Sequence, residues 1–395
     1  MKNFTYYIIR WFLHFISIFY SIIGVKKNYI IFSTYDNQHY SDNSRYLYEF
    51  FSKKKLNVFW ITNNDKVKSY LDSKNLNHIG ATNLFKLINV SLKTKLIFSS
   101  GSDYFNCFGF LKKKNVIKIH LGHGAGNKVV IQKYIGTNQY EDYSKFNLIN
   151  LTSGYTIKNI GIKNYKLKKN KFINFGYPRV ENLFNNKNSN NKNFLITILG
   201  NYENEKIILY TPTWRPYLYN FPLYKLKNFD LHKFNKFLRK NNIIFCISFH
   251  PLGPRDIHKF ENSNFSNIRL INKKLYPYFD TTYFLNFVDI LLNDCSTTST
   301  EFAFLKKPQI FVFPDYKKYI KHTSFLENYK TDLPGNLIVN FDDLKTEILN
   351  NIKDTKIYKK KFAKQLKNNL KKYYDHKINK KVNEKFYKFV LKIID

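Results

Sequence analysis

Short apolar runs separated by amphipathic stretches set the rhythm of this chain. Residues 29–33 (YIIFS), 57–62 (NVFWIT), 76–80 (LNHIG) and 95–100 (KLIFSS) each read as a short buried strand. Between them, 44–54 (SRYLYEFFSKK), 65–75 and 82–91 carry the three-to-four-residue apolar spacing of helices. The rhythm continues through 115–122 (NVIKIHLG) and 171–176 (KFINFG). It restarts with 206–212 (KIILYTP), a helix at 230–240, and strands at 242–251 (NIIFCISFHP), 268–272 (IRLIN), 288–294 (VDILLND) and 309–313 (QIFVF). Strands alternating with helices predict the α/β class, with parallel sheets and crossover helices.

Two interruptions divide the pattern. Residues 184–193 (FNNKNSNNKN) are polar and of low complexity, the composition of a linker. They predict a Rossmann-like domain at 28–183, a linker region at 184–205 and a second Rossmann-like domain at 206–350, with lysine-rich C-terminal helices at 351–395. Ahead of all this, residues 4–24 are almost continuously apolar and aromatic. As a helix they would run ~32 Å, enough to reach across a bilayer. Arg10 and His14 interrupt the run, and Trp11 with several tyrosines suits an interface. The expectation is a membrane-associating helix at 1–27, lying in the interface, with a single span as the alternative. Arg10 breaks the apolar region that a cleaved signal would need, and no A-x-A-like site follows.

Composition narrows the partners. The net charge of +37 would suit a nucleic acid, an anionic membrane or a phosphorylated substrate. The basic residues are nearly all lysine and are spread along the chain, which reads as solvated surface charge rather than a built patch. No helix-turn-helix, zinc-finger or RNA-recognition pattern accompanies them, so nucleic acid is not expected as a partner. Arginine is rare, and a chain that drifts to lysine keeps it where a planar fork matters. Three cysteines without a CxxC spacing fit a reduced compartment and no structural metal.

Candidate chemistry clusters just after strands, where open α/β sheets bind ligands. The chain holds only 14 glycines, yet Gly122, Gly124 and Gly126 fall together around His123 in HLGHGAGNK, with Lys128 at its end. The spacing is neither a Walker loop nor a dinucleotide fingerprint. An imidazole flanked by glycines can serve as a general base. A metal pair with His120 lacks any nearby acidic or cysteine partner. In VDILLNDCSTTSTEF, Asp294 ends a strand and Ser296, Thr297, Thr298, Ser299 and Thr300 open a helix expected to run to Lys307. Thr298 and Glu301 have capping-box spacing, and a hydroxyl-rich helix start can take an anion. Thr213 and Arg215 follow a strand in YTPTWRP, and His250 follows another in CISFHP. Asn43 and Arg45 lie after the first strand, and Arg179 lies in GYPRVENL.

Together these runs resemble the CDP-glycerol glycerophosphotransferase family, which builds teichoic-acid-type polymers of alditol phosphates. SDNSRYLYE is similar to that family's dNpkyly segment, HGAGNK to its HGTxxK loop, GYPRVENL to GyPRnDxL and YTPTWR to YaPTWR. DCSTTSTEFAFLKKPQIFVFPD resembles DYSSxxfDxxxLxkPxifyxyD, and YKTDLPGN resembles DYxxxxPGP. The order matches over roughly residues 30–340, with Cys295, Val180 and Asn336 standing where the family has Tyr, Asn and Pro. The resemblance implies a GT-B-like pair of Rossmann-like domains around a cleft, acceptor side first and donor side second. It implies a CDP-alditol donor, a lipid-linked or polymeric acceptor, release of CMP, no separate cofactor, and a place at the cytoplasmic face of the membrane. On that basis His123 is the expected general base, and His250 and Arg215 are expected to stabilise the pyrophosphate. Asp294, Ser296, Thr297 and Glu301 are expected around the donor. Gly122, Gly124, Gly126, Lys128, Asn43, Arg45, Arg179 and Thr213 are expected to support the site. A nucleotide-sugar glycosyltransferase shares the fold and is the alternative reading.

Overall fold

The computed structural model describes residues 28–34, 37–80, 83–101, 116–128, 143–185, 192–200, 202–215, 221–249, 265–375 and 381–394, with Phe15, Ile18, Tyr217 and Phe260 as isolated positions. Apart from Phe15 and Ile18, the expected N-terminal helix falls outside this set, as do His250 and residues 186–191 and 201 of the expected linker.

The apolar runs form two sheets of parallel strands. In the first, β1 (Tyr29–Ser33), β2 (Val58–Ile61), β3 (His78–Ile79), β4 (Thr94–Ser99), β5 (Ile117–His120), β6 (Leu148–Asn150) and β7 (Phe172–Ile173) take the order β3-β2-β1-β4-β5-β6-β7. In the second, β8 (Lys206–Thr211), β9 (Ile243–Ile247), β10 (Ile268–Leu270), β11 (Ile290–Asn293), β12 (Gln309–Val312) and β13 (Asn336–Ile338) take the order β10-β9-β8-β11-β12-β13. Strands buried on both faces read as continuous apolar runs, which is why β1, β4, β8 and β9 were visible in the sequence. Strands β6 and β13 are three residues long, too short for a pattern to register.

The chain crosses between the domains earlier than the polar tract suggests. Tyr177, Val180 and Leu183 on and before the Pro178–Asn185 helix, and Leu195, Ile198 and Leu199 on the Lys192–Leu199 helix, are buried in the core of the second sheet. The expected linker at 184–205 is therefore largely helix where it is described, anchored by its own apolar face. The C-terminal helices are also not an appendage. Tyr358, Phe362, Leu366, Leu370 and Tyr374 join the second core, whereas Val382, Phe386 and Val390 on the Val382–Ile394 helix return to the first. Between these two dockings, Thr152 Oγ1 donates to the Tyr373 carbonyl at 2.6 Å and Ser153 Oγ to that of Lys372 at 2.7 Å.

Candidate functional site

Each sheet reverses its strand order in the middle, between β1 and β4 and between β8 and β11. Chains leaving the carboxyl ends of such strands diverge and open a crevice. A cavity of about 390 Å³ lies there, lined by Thr34 and Ser100 from the first domain and by Thr211, Pro212 and Ser296 from the second.

His123 stands in its wall with 65% of its side chain exposed. Its Nδ1 bonds Oδ2 of Asp42, a buried carboxylate at the start of the Asp42–Lys53 helix. An ionised carboxylate can only accept here, so Nδ1 carries a proton, and in the neutral imidazole the lone pair is then on Nε2. Asp42 adopts a left-handed backbone, φ +67°, a conformation unfavourable for a residue with a Cβ. Its amide donates to Asp280 Oδ2 at 2.7 Å, and Oδ1 accepts from the Asn43 amide at 2.6 Å.

Arg179 completes the cluster. Nη1 donates to Asp42 Oδ1 at 2.6 Å, Nη2 to the His123 carbonyl at 2.6 Å, and Nε with Nη2 to Glu301 Oε1. One guanidinium thus ties the His123–Asp42 pair of the first domain to Glu301 of the second. Burial acts to raise the Asp42 carboxyl, but Arg179 and the bonds from His123 and Asn43 prevail and hold it below its ordinary value. Burial prevails at Glu301, which is raised despite Arg179.

Glu301 makes no capping box. The Thr298–Phe302 helix has Thr297 at its N-cap with no side-chain bond, and Glu301 turns instead to Arg179 and to the Thr282 hydroxyl at 3.2 Å. Nor does the helix run to Lys307. It gives way to a 3₁₀ turn at Ala303–Leu305 and stops at Lys306, which is left-handed at φ +51°.

The glycines answer to packing. A Cβ on Gly124 would collide with the Thr297 side chain, and one on Gly126 would meet Thr297 Cγ2 at 3.1 Å. Gly122 has φ +79° and lies against the Tyr177 ring. The loop is pinned across the domains, with Thr300 Oγ1 donating to the Ala125 carbonyl and Leu326 N to that of Asn127 at 2.7 Å. Lys128 pairs with Phe325 in an isolated antiparallel bridge. Asn43 Nδ2 holds the Gly122 carbonyl at 2.9 Å from the other side. Ser296, Thr297 and Thr298 line the cavity beside this loop.

Several expected contacts lie elsewhere. Arg215 and Asp294 are almost fully buried and face each other rather than the cavity. Arg215 donates to Asp294 Oδ2 and the Thr213 carbonyl at 2.6 Å each, and binds both oxygens of Asp315. Asp294 Oδ1 accepts from Thr213 Oγ1 at 2.7 Å and from the Ser296 amide at 3.2 Å. Four of five guanidinium donors are consumed, so the group shapes the Thr213 and Ser296 loops and leaves no fork for phosphate. Arg45 likewise bonds Glu49 Oε1 and the Tyr278 carbonyl and stacks over Tyr40, away from the cavity lining. His120 is buried against Tyr143 and Phe146, and its Nδ1 accepts from the Gly122 amide. Burial lowers its pKa to about 3, so it is neutral.

Asp42 and Asp280 were not singled out in the sequence. Asp42 adjoins Asn43, inside a run already marked. Asp280 precedes two threonines and caps the Thr281–Phe284 helix through the Thr282 amide at 2.8 Å, a spacing that signals a cap but not a cavity. Among the described residues, no group of three or more His, Cys, Asp or Glu is arranged to hold a metal ion.

Comparison with known proteins matches residues 14–390 to the model of the CDP-Glycerol:Poly(glycerophosphate) glycerophosphotransferase family. The teichoic acid poly(glycerol phosphate) polymerase of Bacillus subtilis is 25% identical over 80% of this chain and 43% of its own length. The teichoic acid glycerol-phosphate transferase of Staphylococcus aureus is 24% identical over 80% of this chain and 82% of its own. This chain spans about half or less of the length of the polymerases it matches first. Among solved structures, the wall teichoic acid polymerase TagF superposes with a TM-score of 0.73 at 21% identity, over 92% of this chain and 88% of that one. The UDP-GlcNAc 2-epimerase of Methanocaldococcus jannaschii shares the two-domain fold more loosely, with a TM-score of 0.52 at 15% identity.

Proposed function

Since the chain belongs to the CDP-glycerol:poly(glycerophosphate) glycerophosphotransferase family, we propose that its cavity transfers an alditol phosphate from a CDP-alditol to a hydroxyl of a polyol-phosphate or lipid-linked acceptor, releasing CMP. The observation that carries this reading is His123, exposed in the cavity with its Nδ1 held by Asp42. Nε2 takes the proton of the acceptor hydroxyl as the oxygen attacks the β-phosphorus. The bond from that phosphorus to the bridging oxygen breaks, and CMP departs with the oxygen. Asp42 stabilises the imidazolium that forms, and Arg179 keeps the carboxylate in place. The Ser296, Thr297 and Thr298 hydroxyls, on the cavity wall beside the glycine loop, are placed to bind the donor phosphates. The teichoic acid relatives support a polyol-phosphate acceptor, and the reading extends to work at the cytoplasmic face of the membrane. No described helix is long and apolar enough to cross a membrane.

The test incubates purified protein and membranes with CDP-glycerol, CDP-ribitol, UDP-GlcNAc and GDP-mannose, and measures nucleotide release. CMP release from a CDP-alditol that is abolished in His123→Ala is expected. Release of UDP or GDP with no CMP would instead favour a nucleotide-sugar glycosyltransferase. Turnover unchanged in His123→Ala would remove the base assignment.

A further inference from the structure

The cavity wall contains an ammonium that the mechanism above does not use. Lys273 lies three residues beyond β10 and lines the cavity with Ser248, Phe249 and Thr281. It is half-buried, and among the described residues no hydrogen bond or ion pair engages its Nζ. The charge acting on it is Asp280, whose oxygens are already in use. Asp280 Oδ2 accepts from the Asp42 amide at 2.7 Å, and Oδ1 accepts from the Tyr46 hydroxyl at 2.9 Å and the Thr282 amide at 2.8 Å. Among the described residues, the other lysine and arginine of the wall are Lys128, on the opposite domain, and Arg179, spent on Asp42 and Glu301. Arg215, expected at the pyrophosphate from the sequence, is locked behind the wall.

An ammonium without a partner in a partly dry wall is costly to keep charged. Burial lowers the Lys273 pKa to about 8, against the pull of Asp280. Lysine on the outer surface of this chain carries no such cost. A lysine held inside the cavity is best explained by an oxyanion that arrives with the substrate.

We propose that Lys273 Nζ binds a phosphoryl oxygen of the substrate occupying the cavity, and is the cation that Arg215 cannot supply. This rests on the transfer reading above. That reading offers two sources of the oxygen, the diphosphate of the donor and the phosphodiester behind the attacking hydroxyl of a polyol-phosphate acceptor.

Lys273→Met and Lys273→Arg are compared with wild type in two arms. The first is equilibrium binding of CDP-glycerol, inorganic pyrophosphate and cytidine. The second is the acceptor KM with a glycerol-phosphate-ended acceptor. Losing a charge-assisted bond predicts a loss of about tenfold or more in Lys273→Met, recovered in part by Lys273→Arg, with cytidine binding unchanged. A loss in CDP-glycerol and pyrophosphate affinity assigns the contact to the donor. A rise in acceptor KM alone assigns it to the acceptor. Changes under about twofold in both arms, or an equal loss for cytidine, would overturn the proposal. Binding is measured without turnover, so a wild-type protein that released no CMP would sink the transfer reading while the binding arm still judged Lys273.

Discussion

At the scale of residues, the His123–Asp42 pair joins two side chains that are 81 positions apart. His123 was legible because scarce glycines surround it. Asp42 was not, because its role depends on a left-handed backbone and on Arg179 reaching it from 137 positions away. Asp42→Asn keeps the shape but removes the charge that stabilises an imidazolium. It is expected to lower kcat for CMP release about a hundredfold or more, with the KM for CDP-glycerol little changed and the circular dichroism spectrum intact. His120 makes the opposite case, a histidine whose ring is spent on packing. Its folded pKa of about 3 lies below the ordinary 6.5, so its contribution to stability is complete above pH 6.5 and declines as pH falls towards about 3. Urea unfolding of His120→Gln should lack that part of the slope, on the order of 1 kcal/mol per pH unit between pH 6 and 4.

Among elements, the glycine loop and the Thr298–Phe302 helix are one unit built from two domains. The sequence marked both, and a resemblance tied them to one family, but neither run could show that Gly124 needs its missing Cβ because of Thr297. Gly124→Ala is expected to lower Tm by several degrees and weaken CDP-glycerol binding, because the added carbon pushes the loop off the helix. Gly124→Ala combined with Thr297→Gly should recover much of the Tm, which a defect of the loop alone would not. The capping-box spacing of Thr298 and Glu301 misled for a related reason. A carboxylate three residues along can fold back on its own helix, but here the charge-assisted bonds from the buried Arg179 guanidinium prevail over that local one.

Over the whole molecule, Arg179 is the charged tie across the cavity, joining Asp42 to Glu301. Arg179→Met would leave Asp42 and Glu301 buried without it, at a cost of about 3–5 kcal/mol. Thermal unfolding should show a lower first transition, and Glu301→Gln should be milder because burial already favours the neutral acid there. The alternation of apolar runs determined the α/β class and the parallel sheets, since a strand covered on both faces must be apolar throughout. The scarcity of glycine and arginine marked His123, Arg179 and Arg215 for the same chain to use. Only the tertiary structure decided where those groups point. It set Arg215 against Asp294 and Asp315, Arg179 across the cleft and the C-terminal helix back on the first domain. Periodicity records which face of an element is covered. A charge takes its role from the partner that burial brings to it, and that partner lies far away in sequence.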